Sequence, residues 1–166
     1  KTMPYPGFPT DMQSVFASIL TVAKGTSVIV ENIFENRYRY MSELKKMGAK
    51  ITVEGKTAVI KGVRRLSGAK VASTDLRGGA ALVTAALVAK GTTQITNIEY
   101  ILRGYENLEV KLRKLGANIA IVEKWYPYKN IEEGEQMPTK TKENKKNKKL
   151  NKKQKKVVDV VEETKE

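Results

Sequence analysis

The 166 residues carry 31 Lys and Arg against 18 Asp and Glu, a formal net charge of +13, with 40% hydrophobic residues and neither Cys nor His. That length supports one domain with a proper core. The missing residue types exclude disulfides, thiolate metal sites, imidazole ligands and His-based acid/base catalysis, so chemistry must rest on carboxylates, Lys, Arg and backbone groups.

In chain order, Met3-Pro4-Tyr5-Pro6-Gly7-Phe8-Pro9 reads as a loop rather than a natural beginning, which suggests a fragment. An apolar helix is predicted over 10–24, with Thr10 as its N-cap and Gly25 as its stop. A strand over 27–33, an amphipathic helix over 40–47 closed by Gly48, and a strand over 50–54 follow. Glu54-Gly55-Lys56 then turns into a hairpin strand over 57–61. The series starts again with an apolar helix over 75–90 and Gly91, a strand over 94–98, an amphipathic helix over 106–115 with Gly116, and a strand over 118–122. This gives a folded part over 1–123, a linker over 124–138 and a tail over 139–166. The tail has ten lysines between 140 and 156, with Asn filling much of the rest. Such low-complexity sequence is expected to be disordered, and its removal to leave the melting temperature nearly unchanged.

The chain repeats itself. Ala23-Lys24-Gly25-Thr26 recurs as Ala89-Lys90-Gly91-Thr92, an offset of 66, and Arg37 maps onto Arg103 at the same offset. Lys46-Met47-Gly48-Ala49-Lys50-Ile51 matches Lys114-Leu115-Gly116-Ala117-Asn118-Ile119 at 68. The first helix of each unit is nearly free of charge, which points to burial on all sides. The second carries Glu43, Lys45 and Lys46, or Glu109, Lys111, Arg113 and Lys114, and reads as a surface helix. Buried helices inside a ring of sheets are the architecture this implies. The uncharged run 78–89 is too short to span a bilayer, so a soluble, cytoplasmic protein is the plain reading.

The special charges fall at element junctions, where α/β proteins place ligand contacts. Asp11 lies in the first turn of the first apolar helix and Arg77 at the equivalent place in the second. Arg37 and Arg103 each sit between a strand and the surface helix after it. A carboxylate at a helix start stays ionised and can accept a proton or a hydroxyl hydrogen bond. Arginines bind carboxylate and phosphate through a planar, bidentate, permanently charged fork. Together they suit a small, multiply charged substrate, although pattern alone leaves a structural role open for each. Gly78-Gly79 fits neither dinucleotide nor phosphate loops and reads as close helix packing.

Phe8-Pro9-Thr10-Asp11-Met12-Gln13, Ile33-Phe34-Glu35-Asn36-Arg37, Asp75-Leu76-Arg77 and Arg103-Gly104-Tyr105-Glu106 together resemble four successive motifs of the UDP-N-acetylglucosamine 1-carboxyvinyltransferases. The resemblance runs from about Met3 to Val122 and fits the C-terminal part of such an enzyme. It implies an α/β fold of repeated βαβ-type units, an inside-out α/β barrel of which this is a partial domain. It also implies transfer of enolpyruvyl from phosphoenolpyruvate to the sugar 3-hydroxyl of UDP-N-acetylglucosamine in peptidoglycan biosynthesis, with no metal and no cofactor. Asp11 would bind and help deprotonate the hydroxyl with Thr10 beside it, and the backbone at Ile33 would contact the sugar nucleotide. Arg37, Arg77 and Arg103 would line the anion site, with Arg103 nearest phosphoenolpyruvate.

The family's general acid belongs to sequence not present here, so the chain alone is expected to be inactive and its partner to be the missing N-terminal part. Tyr100-Ile101-Leu102 stands where the family often reads His-Ile-Asp. The 5-enolpyruvylshikimate-3-phosphate synthases share fold and chemistry, but Phe-Pro-Thr-Asp and Phe-Glu-Asn-Arg favour the sugar-nucleotide enzyme. A rival reading is a non-catalytic protein that binds nucleic acid or anionic lipid through the basic tail. The aromatic platforms of single-strand binders are missing, so nucleic acid is not the expected partner.

Overall fold

A computed structural model describes residues 1–124 and 155–161. Two units follow one another. The first holds α1 (Thr10–Leu20), β1 (Thr26–Val30), α2 (Arg39–Lys46), β2 (Lys50–Glu54) and β3 (Thr57–Lys61). Short strands β4 (Leu66–Ser67) and β5 (Lys70–Ala72) lead to the second: α3 (Leu76–Ala86), β6 (Ala89–Lys90), β7 (Thr92–Thr96), α4 (Glu99–Leu102), α5 (Leu108–Lys114), β8 (Ile119–Lys124) and β9 (Lys155–Val161). The first sheet runs β1-β3-β2 and is antiparallel throughout. Gly55, at φ +53, makes its two-residue hairpin turn, a conformation in which a side chain would be strained. The larger sheet runs β5-β7-β9-β8, and β4 pairs with β6 alone.

The core is continuous across both units. Tyr40, Met41, Leu44, Ile60, Leu66, Leu82, Ile95 and Ile98 are fully buried within it. α3 is buried on nearly every side, from Gly78 to Ala86 except Thr84, as its composition requires. Gly78 and Gly79 do serve close packing. A Cβ on Gly79 would overlap Ser73 and Ile101, and one on Gly78 would stand 3.0 Å from Tyr40 Cβ. Asp75 caps α3 by accepting the N–H groups of Arg77 and Gly78 at 3.0 and 2.8 Å. Asp75→Ala is therefore expected to cost about 1 kcal/mol, read as a fall of roughly 4 °C in a thermal melt.

Several expectations are corrected. Both apolar helices stop about four residues early. Thr21, Val22 and Ala23 donate to carbonyls only three residues back, so the helix tightens into a turn before Gly25. Ala89 and Lys90 leave α3 altogether to pair with β4. Thr10 is a helical residue behind Pro9, not a side-chain cap. α1 is buried on one face only: among the described residues Met12, Phe16 and Ile19 remain 44–51% exposed. Glu43 points inward, where it accepts the Ala72 N–H at 2.9 Å and pairs with Lys46.

The segment read as a tail also departs from expectation. Lys155–Val161 form β9, central in the larger sheet, and Val160 is 1% exposed. The run Val157-Val158-Asp159-Val160-Val161 is rich in β-branched residues, which suit a strand paired on both sides. Deleting 139–166 would remove this strand, so such a deletion is expected to lower the melting temperature. The rest of that segment, and the expected linker beyond Lys124, lie outside the described residues.

Candidate anion-binding site

Three of the charged residues converge. α1 and α3 pack side by side, and the Ser14 hydroxyl donates to the Arg77 carbonyl at 3.0 Å, which brings the two helix starts together. Arg77 Nε then meets Asp11 Oδ1 at 2.5 Å, and Arg37 approaches the same oxygen at 4.0 Å. The Arg37 guanidinium lies 4.4 Å from the Phe34 ring centroid, a cation–π contact that aims it from the loop after β1. Its side chain is only 13% exposed, and its Nε has no partner among the described residues.

The electrostatics follow. The hydrogen bond from Arg77 holds the Asp11 carboxyl below its usual range against the opposing effect of burial, and the charges of Arg77 and Arg37 add to it. The same bond raises Arg77. Asp11 itself stays 60% exposed, so it is an ionised, solvent-facing carboxylate with two guanidinium groups near one of its oxygens. Such a group can accept a hydrogen bond from a substrate hydroxyl, while the arginines offer further N–H donors to an anion.

Arg103 is adjacent but not part of this contact. It caps α4, is exposed, and makes no ion pair among the described residues. The next residue, Gly104, lies against Leu76, where an added Cβ would come within 2.7 Å of Leu76 Cδ1. Its turn thus abuts the start of α3, one residue from Arg77.

Glu31 was missed in the sequence. It follows β1, is 1% exposed, and gathers four donors. Thr2 Oγ1 (2.8 Å), Ile33 N (2.8 Å) and Phe34 N (3.1 Å) reach one oxygen, and Thr10 Oγ1 (2.9 Å) the other. This carboxylate ties the N-terminal loop, the start of α1 and the loop bearing Arg37 to one point. Thr10 is thereby committed to Glu31, and the Ile33 N–H is likewise taken. A backbone contact from Ile33 to a ligand would fall to its carbonyl. A glutamate after a branched strand carries no sequence signal of such a role.

The sequence profile of the EPSP synthase (3-phosphoshikimate 1-carboxyvinyltransferase) family matches residues 1–127. A UDP-N-acetylglucosamine 1-carboxyvinyltransferase of Desulfofundulus thermocisternus is 66% identical over 119 residues, 72% of this chain and 49% of that protein. UDP-N-acetylglucosamine 1-carboxyvinyltransferase 3 of Caldanaerobacter subterraneus subsp. tengcongensis is 62% identical over 119 residues, 28% of its length. The chain therefore spans between about a quarter and a half of these relatives. Among solved structures, the enolpyruvyl transferase NikO from Streptomyces tendae superposes with a TM-score of 0.62 at 32% identity, over 66% of this chain and 26% of that one. EPSP synthase from Acinetobacter baumannii, with a TM-score of 0.55 at 23% identity over 66% of this chain and 26% of its own, shares the fold.

Proposed function

Since the chain belongs to the EPSP synthase (3-phosphoshikimate 1-carboxyvinyltransferase) family, we propose that it supplies one part of the active site of a UDP-N-acetylglucosamine 1-carboxyvinyltransferase. The reaction joins the sugar 3-hydroxyl to the enolpyruvyl carbon of phosphoenolpyruvate and releases phosphate, a step toward peptidoglycan. The observation that carries the reading is the exposed Asp11 carboxylate paired with Arg77 at the adjoining starts of α1 and α3 and approached by Arg37. In the relatives named above the same sugar-nucleotide reaction gives the protein its name. Among the described residues no helix is long and apolar enough to cross a membrane.

In this reading Asp11 accepts the hydrogen bond of the attacking hydroxyl and draws its proton away as the C–O bond forms. A substrate anion takes up the guanidinium donors of Arg37 and Arg77. Arg103, free of an ion pair among the described residues, turns its fork to the carboxylate or phosphate of phosphoenolpyruvate. Glu31 holds Thr10 and the loop 32–37 in place around them.

Arg103 gives the test. In a complete transferase containing this segment, Arg103→Lys is expected to raise KM for phosphoenolpyruvate at least about tenfold more than KM for the sugar nucleotide, because a point ammonium cannot replace a bidentate fork. Steady-state kinetics with each substrate varied in turn measures this. Equal losses for both substrates would make Arg103 structural.

A further inference from the structure

We infer that the slot between β7 and β8 is a strand-binding surface whose occupant is residues 157–161 of this same chain. The argument rests on the repeat. In the first unit β3 lies between β1 and β2, with Ile60 opposite Ser27 on one side and Ile51 on the other. In the second, β9 lies between β7 and β8, with Val160 opposite Thr93 and Ile119. Thr93 is the repeat mate of Ser27 at an offset of 66, and Ile119 that of Ile51 at 68. Two different offsets thus converge on one residue, and Val160 holds the place of Ile60. Both are buried, at 1% and 0%. The register two residues away agrees: Ala58 pairs with Ile29 and Val53, while Val158 pairs with Ile95 and Ile121.

What differs is the connection. Gly55-Lys56 joins β2 to β3, whereas residues 125–154 stand between β8 and β9. The stretch that matches the family ends at residue 127, so the strand at the centre of this sheet comes from outside it. Without that strand, β7 and β8 would face each other across unpaired N–H and C=O groups, an open template for another strand. Recognition is mostly main-chain: an antiparallel ladder on both sides, with Val160 buried at its centre. Covalent connection to β8 makes pairing with the chain's own strand intramolecular, which favours it over a copy in trans. A strand of the same sequence offered in trans fits the same slot.

The experiment uses the full chain. Val158→Pro removes an N–H from a strand bonded on both sides. It is expected to lower the melting temperature by more than about 5 °C. A saturating peptide of sequence 153–163 is expected to restore most of that loss, and the same peptide with proline at position 158 none of it. In the unaltered chain, amides 157–161 are expected to exchange at least about a hundredfold more slowly than in an unstructured peptide. That measurement, with the milder Val160→Ala melting below the parent, decides the matter even if Val158→Pro does not fold. Free exchange at 157–161, a Val158→Pro melt equal to the parent, or failure of the peptide to bind would each overturn the inference. Protection that appears only in a dimer on sedimentation would overturn the assignment to the chain's own strand.

Discussion

Asp11→Asn, placed in a complete transferase that contains this segment, is expected to lower kcat by at least about a hundredfold, or about 2.7 kcal/mol in the barrier. A hydroxyl is a poor nucleophile until its proton is drawn away, and a positioned base contributes about 10² to 10⁴-fold. Two features of the fold support the role proposed for Asp11. It projects from the first turn of α1 with 60% of its side chain exposed, and its Oδ1 is anchored by Arg77. The anchoring bond holds its pKa down, which keeps the carboxylate ionised but weakens it as a base. Orientation of the hydroxyl is therefore part of its contribution, and asparagine, which retains one oxygen acceptor, preserves some of that. The affinity for the sugar nucleotide should change by less than about tenfold, so the loss falls on kcat. In the isolated chain the melting temperature should barely move, because an exposed pair contributes little to stability. Turnover near that of the parent enzyme would leave Asp11 as a helix-start residue only.

Glu31→Leu is expected to have the largest effect on folding. It leaves two hydroxyls and two backbone N–H groups without the acceptor they now share. Stranding buried donors costs about 1–3 kcal/mol each where water cannot reach them, so a total of about 3 kcal/mol or more is expected. That corresponds to a fall in Tm on the order of 10 °C. The acid limb of stability carries the same signature. Burial pushes the Glu31 carboxyl up, but the hydrogen bonds from Ile33, Thr2, Phe34 and Thr10 outweigh it and hold the pKa below 4.5. A carboxylate with a depressed folded-state pKa stabilises the fold above its unfolded value and loses that stabilisation as pH falls through the folded value. Glu31→Gln should therefore melt lower than the parent near neutrality, and the difference should shrink below about pH 4.5. Parallel melting curves for the two proteins across that range would show that Glu31 is not the ionised hub.

Much of this was written in the sequence. The offset of 66 placed Arg37 and Arg103 at matching junctions, and the apolar helices at 10–24 and 75–90 announced helix packing between the units. Because Asp11 and Arg77 sit at equivalent points of those helices, their meeting follows once α1 and α3 lie side by side. Other features have no local signal. The helix ends at Leu20 and Ala86 fall inside apolar sequence, and only the i−3 hydrogen bonds and the pairing of Ala89 with Leu66 stop them. Glu43 and Glu31 look solvated because their acceptor roles depend on Ala72 and Thr2, about thirty residues away in each case. β9 was hidden because composition between 139 and 156 dominates the reading of the five residues after it. The match of Val160 to Ile60 appears only when the two sheets are set in register.

The most direct test of the proposed function is an exchange of segments. The 119-residue stretch of the Caldanaerobacter subterraneus relative that is 62% identical to this chain would be replaced by the corresponding residues of this chain. Phosphate release would then be followed with phosphoenolpyruvate and either UDP-N-acetylglucosamine or shikimate-3-phosphate. Turnover with the sugar nucleotide within about tenfold of the parent, abolished by Asp11→Asn, is expected. A folded chimera that binds both substrates but releases no phosphate, or one that prefers shikimate-3-phosphate, would contradict the proposed function.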